Sequence, residues 1–338
     1  MQAHQPRLFL LVMALLLVGL ALVSLRIGAV SIPTAAILEA FLGKNTDAVQ
    51  VMVLWEIRLP RLLLTLLIGA SLGLSGAVLQ GLFRNPLVEP GIIGVSSGAA
   101  LGAVLVLIGL GNLIGEARSW LLPLAAFVGG LLATFLTLRL SAHEGKTQIT
   151  YLILAGVAIN ALAGAMIGLS IFYADDAQLR NYTFWTLGDL SVASWDKLYW
   201  LFPLIGLACL GLIRLGRPLN AIALGEAEAF HSGVAVERVK RWAVVGAALA
   251  VGTAVAFVGM IGFVGLVVPH IVRMVFGADH AWVLPAATLG GAILLVVADL
   301  IARVAVAPSE LPIGVITAAI GTPFFVYLLI QSKNKGAI

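Results

Sequence analysis

The chain has 338 residues, of which 61% are hydrophobic and only 11% charged, with a mean hydropathy of +1.08 and a formal charge of +4. Soluble domains carry about a quarter charged residues, so this composition excludes a large soluble domain and points to a polytopic membrane protein. The small positive balance then concerns topology rather than nucleic acid, and Cys209, the one cysteine, excludes an intrachain disulfide or a cysteine metal cluster.

In chain order, uncharged spans fall at 8–25, 62–82, 91–113, 120–138, 149–173, 198–213, 242–272, 281–298 and 311–330. The first, after Arg7, has the look of a signal peptide, but it is long for one and no small-residue cleavage site follows; it is expected to be a retained helix. The 242–272 run is too long for one pass. It carries Gly252, Gly259, Gly262, Gly265 and Pro269, which predicts a helix to about Val258, a break, and a short helix to about Phe276. The expectation is therefore an all-α protein of about ten transmembrane helices, with residues 1–338 forming one transmembrane domain. With the N-terminus in the cytoplasm, lysines and arginines modestly favour the inside segments and both termini are cytoplasmic.

Two loops stand out. The segment 214–241 holds short helical stretches broken by Gly225 and Gly233, with charges on both sides, and is the longest on the inside. The segment 174–197 is polar and aromatic, with Trp185 and Trp195 suited to a membrane interface. A faint repeat pairs Arg58-x-x-Arg61 and residues 68–73 with Arg238-x-x-Arg241 and residues 245–250, inverted in this topology as in many transporters. Chance matches among Gly, Ala and Leu are the alternative.

The residues also say what chemistry to expect. His143-Glu-Gly-Lys-Thr147 resembles the tail of a phosphate-binding loop, but Leu140 stands where the first glycine is required and no buried strand precedes it; a basic turn is expected. ATP must then be hydrolysed by another protein. Mid-membrane acid–base chains of a coupled pump are missing from the sequence, and Asp299 and Arg303 are spaced to pair at i,i+4. Gly69, Gly73 and Gly76 flatten one face of the 62–82 helix, either for packing within the subunit or to border a pathway. Arg58, Arg61 and Arg303 fall outside, where arginines either snorkel to headgroups or bind carboxylates of a docking protein.

Arg58-Leu-Pro-Arg61, Gly81-x-x-Arg84-Asn-Pro-Leu87, Phe263-Val-Gly-Leu-Val-Val-Pro-His270, Ala298-Asp-x-x-Ala-Arg303 and Glu310-Leu-Pro-Ile-Gly314 together resemble the FecCD family, permeases of ABC importers for iron-siderophores, heme and cobalamin. The resemblance spans nearly the whole chain. It implies a type II ABC importer permease fold, a homodimer with a pathway along its axis, two ATPase subunits, a periplasmic binding protein, and a site in the bacterial inner membrane among its lipids. It implies no cofactor on this chain; ATP and Mg belong to the ATPase. Coupling to the ATPase falls by this resemblance on short helices at about 215–240, with Leu219, Ala223, Leu224, Gly225, Ala229 and Gly233 in the ATPase cleft. Docking of the binding protein falls on Arg58, Arg61 and Arg303. The inner gate falls on Asn85 and Leu87, and on Ile149 and Thr150, although Ile149 departs from the hydroxyl residue of the cobalamin importer. The run Leu179–Gly188 followed by Ala193-Ser-Trp195 looks most like heme permeases, with siderophore permeases sharing much of it. A stand-alone secondary transporter is the rival from another class.

Overall fold

A computed structural model describes residues 5–28, 31–44, 47–110 and 117–334. The last three residues of the expected 91–113 span, the residues that follow to 116, and both chain ends lie outside the described residues.

The chain opens with α1 (Pro6–Arg26), a short α2 (Thr34–Phe41) and α3 (Ala48–Met52), which runs through a π-helical turn (Val53–Arg58) into α4 (Leu59–Phe83). The continuous helix 48–83 is about 54 Å long at ~1.5 Å per residue, far more than the ~30 Å of a hydrocarbon core. Its charged first part, with Glu56, Arg58 and Arg61, therefore overhangs the apolar part. A 3-10 turn (Pro90–Ile93) leads to α5 (Val95–Val104), then α6 (Arg118–Ser141), α7 (Ile149–Phe172), α8 (Asp176–Leu187) and α9 (Trp195–Ile213). The short α10 (Gly216–Leu224) and α11 (Glu226–His231) precede α12 (Val236–Val258), α13 (Val264–Phe276), α14 (His280–Val304) and α15 (Ile313–Asn334).

Among the described residues, seven helices are long and apolar enough to cross a membrane: α1, the 48–83 helix, α6, α7, α9, α12 and α14. Shorter apolar helices cover 95–109, 264–276 and 313–327. The break expected after Val258 is present. Gly259 has φ +78°, Phe263 takes the left-handed conformation at φ +67°, and the Glu89 carboxylate accepts the Phe263 N–H at 3.2 Å. A Cβ at Gly259 would collide with the Trp185 carbonyl oxygen, so the turn requires glycine.

The all-α expectation needs one amendment. Residues 142–147, the phosphate-loop look-alike, form a two-stranded antiparallel hairpin, β1 (Ala142–His143) with β2 (Lys146–Thr147). Its two turn residues, Glu144 and Gly145, both have positive φ, as a tight two-residue hairpin demands.

The centre of the bundle is α4, α12 and α14. Within their most apolar windows 78%, 72% and 50% of residues are buried, against 11% for α1 and 22% for α7. Glycine sets how close these helices come. Gly69 and Gly73 face Gly291 and Ala287 of α14, and Gly76 faces Gly265 of α13, so near that a Cβ would strike a backbone carbonyl in each case. The glycine face of α4 thus packs within the subunit. Arg61 near the start of α4 and Val258 at the end of α12 line the same cleft, so these two helices run antiparallel. The arginine pairs at 58/61 and 238/241 accordingly sit at opposite ends of the bundle.

Candidate functional site

The two ends of α4 carry the candidate sites. At its first end the helix brings Arg58 and Arg61 against α14 and the last turn of α1. Asp299 is the hub. It lies 2.8 Å from Arg61 Nη2 and 3.0 Å from Arg303 Nε, and is 1% exposed. Arg61 Nη1 also donates to both oxygens of Glu310, at 3.0 and 2.8 Å. Arg303 donates to the Ser24 hydroxyl at 2.6 Å and to the Ile27 carbonyl at 3.2 Å. Arg58 donates to the Leu25 carbonyl at 2.6 Å. Each of these contacts answers a need: a buried charge is tolerated where a counter-charge and hydrogen bonds replace water.

The three arginines that sequence reading assigns to docking are not free side chains at the surface. Arg58, Arg61 and Arg303 are buried, and this chain's own carboxylates and carbonyls hold them. What faces outward is Glu310, whose side chain is 41% exposed. It borders a cleft of about 380 Å³ lined by Arg61, Trp185, Asp189, Phe257, Asp299 and Glu310. Sequence reading placed Glu310 in a motif but did not link it to Arg61. It lies 249 positions from Arg61, and no local pattern links the two.

At the other end α4 stops at Arg84, which turns left-handed at φ +50° and donates to the Ile222 carbonyl of α10. Asn220 fixes α10 again: its amide donates to Asp279 at 2.6 Å and its oxygen accepts from the His280 N–H at 2.8 Å. These bonds fasten one face of α10 to α4 and α14. The expected cleft-filling set divides accordingly. Leu219 and Ala229 are buried against this chain's own core rather than exposed for a partner's cleft. Ala223, Leu224 and Gly233 are exposed and Gly225 is half-buried. Leu224 is 81% exposed and Phe230, absent from the expected set, is 70% exposed. The signal for Phe230 was its place on a short helix, α11, whose Ala229 is taken up by the core.

Asn85 and Leu87 stand on the turn after α4, both exposed. The Asn85 side chain accepts the Leu87 N–H at 2.9 Å, which shapes the turn. Leu87 borders a small apolar cleft with Leu266, His270 and Phe324. Ile149 and Thr150 begin α7; Ile149 is half-buried against the main core and Thr150 is exposed. Glu89, between the two runs, is half-buried, and burial raises its carboxyl above the ordinary value while the Phe263 N–H pulls the other way.

Comparison with known proteins places the whole chain in a family. The profile of the FecCD transport family matches residues 15–331. The chain is a FecCD-family ABC importer permease. This permease is 42% identical over 332 residues to a hemin transport system permease of Yersinia pestis, covering 98% of each chain. It is 39% identical over 337 residues to a vitamin B12 import system permease of Klebsiella pneumoniae, covering 99% of this chain and 97% of the relative. Among solved structures it is similar to a metal-chelate type ABC transporter in an inward-facing conformation, at 35% identity and TM-score 0.84, with 96% of the permease and 99% of that chain covered. As a transport permease it is not itself a catalytic enzyme, and its apolar helices make it a multi-pass membrane protein.

Proposed function

We propose that two copies of this permease form the membrane channel of an importer that carries an iron chelate, heme before ferric siderophore, from periplasm to cytoplasm across the inner membrane. Two ATPase subunits seat on α10 and α11, and a periplasmic binding protein seats at the Arg61 end. The observation that carries the reading is the two-faced segment 214–241. One face is fastened to α4 and α14 through Asn220 and Arg84, while the other offers Leu224 and Phe230 outward. Bare apolar side chains on a polar loop mark a surface for another protein. The likeness to a hemin permease supports heme. The near-equal likeness to a vitamin B12 permease makes cobalamin the second reading.

Docking at Arg58, Arg61 and Arg303 then takes a particular form. Carboxylates of the binding protein reach Arg61 by sharing it with, or displacing, Glu310, because bidentate carboxylate binding is what a guanidinium offers. The test is uptake by the permease, its ATPase and its binding protein together in liposomes, with hemin, a ferric hydroxamate and cobalamin offered separately. ATP-dependent uptake of hemin above the other two is expected. Uptake of cobalamin without hemin transfers the assignment to cobalamin, and no ATP-dependent uptake of any of them overturns the importer reading.

A further inference from the structure

The hairpin 142–147 is fastened more firmly than a solvent turn needs. Lys240, on the second turn of α12, is 3% exposed. Its ammonium donates to the Thr147 carbonyl at 2.8 Å, to Glu226 at 2.7 Å and to Glu237 at 3.1 Å. An ammonium has three protons, and here each has an acceptor. The Thr147 N–H in turn donates to Glu237 at 2.7 Å, and Arg241 donates to the Gly145 carbonyl at 3.2 Å. Burying one lysine between two carboxylates and a carbonyl is costly unless the geometry is held, so these elements keep their relative positions.

The elements that meet there are the informative part. Glu226 is the first residue of α11, directly after Gly225. Thr147 ends the hairpin two residues before α7, and the Leu152 N–H bonds back to the Gln148 carbonyl at 2.9 Å, which makes the hairpin continuous with the first turn of α7. The segment 214–241 is thus fastened at two separate places. Its α10 half is tied to α4 and α14 by Arg84 and Asn220. Its α11 half is tied to α12 and the foot of α7 by Lys240. Between the halves stands Gly225 at φ +147°, a conformation L side chains rarely adopt. Of the helices so connected, α7 is the least buried and the one with least packing to resist movement.

We propose that Lys240 is the positioning residue through which α11 moves α7: its buried ammonium locks the first residue of α11 to the hairpin at the foot of the helix that begins with Ile149 and Thr150. A partner that shifts α11 about Gly225 then carries the first turns of α12 and the start of α7 with it, while α10 stays with α4 and α14. The assignment rests on the permease reading above and adds the route by which an ATPase stroke reaches the membrane.

The experiment uses the full complex in liposomes, in a Cys209→Ala background with a nitroxide label at Glu144→Cys on the exposed hairpin tip, and hemin as the transported probe. Lys240→Met keeps the side-chain length and removes all three hydrogen bonds. It should raise the ATP hydrolysed per hemin moved by about tenfold, within the span of ordinary coupling energies, and abolish the ATP-dependent change in the label spectrum. Lys240→Arg should restore most of both. Glu226→Gln, at the more exposed end, should shift the same ratio less, and it serves where Lys240→Met does not fold. An unchanged ratio with a label that still responds overturns the proposal. So does a proportional fall in hydrolysis and uptake with a lowered melting temperature, the behaviour of a plain structural anchor. If the wild-type complex moves no hemin, the substrate reading fails on its own, and the label response to ATP still decides the role of Lys240.

Discussion

Asp299 shows how one carboxylate sets the status of several arginines. Arg61 and Arg303 come from helices far apart in the chain, and both point at it. Their burial is tolerable because Asp299 and Glu310 supply negative charge and α1 supplies carbonyls and a hydroxyl. Removing the central charge leaves two guanidiniums with one exposed carboxylate between them. Asp299→Asn is therefore expected to destabilise the folded permease by about 3 kcal/mol or more, read as a lower melting temperature in detergent. Stability equal to wild type would mean that water reaches the cluster and screens it. The i,i+4 spacing of Asp299 and Arg303 made their pairing legible in the sequence, since helical geometry alone brings such residues together. The Arg61 pairs were not, because they depend on which helices become neighbours.

The helices themselves follow from local pattern, but their packing depends on where side chains are missing. On α4 the glycines at 69, 73 and 76 sit against carbonyls of α14 and α13, whereas Gly211 on α9 has open space around it. Alanine at these places should act in opposite directions. Gly73→Ala must push two central helices apart and is expected to cost about 1–3 kcal/mol. Gly211→Ala meets nothing and should gain about 0.5–1 kcal/mol from the lower entropy cost of ordering alanine in a helix. Thermal unfolding of the two variants beside wild type measures both; a stabilised Gly73→Ala protein would contradict the α4–α14 contact. Composition could not decide between a glycine face that packs inward and one that borders a pathway, because both need small residues.

The permease as a whole has its packed centre in α4, α12 and α14 and its candidate sites at the two ends of α4. The segment 214–241 separates side chains that serve the fold from those left for a partner. Leu219 and Ala229 belong to the first kind, Leu224 and Phe230 to the second. Leu224→Asp with Phe230→Asp should leave the permease folded and sharply weaken its capture of the ATPase. Apolar anchors at the centre of an interface commonly carry about 2 kcal/mol or more each. Co-purification at increasing salt and detergent reads the loss, and undiminished capture would move the ATPase site elsewhere on the molecule. By itself the sequence determined the membrane class, the mainly helical fold, the break after Val258 and the two-part loop, because hydropathy, glycine and proline act locally and within a few residues. Only the tertiary structure decided that the α4 glycines face inward, that Arg58, Arg61 and Arg303 are already held by this chain, and that Lys240 joins α11 to the foot of α7. Each of those facts is a contact between segments far apart in the chain, and such contacts are settled by how closely the helices can pack and which charges must be paired once water is gone.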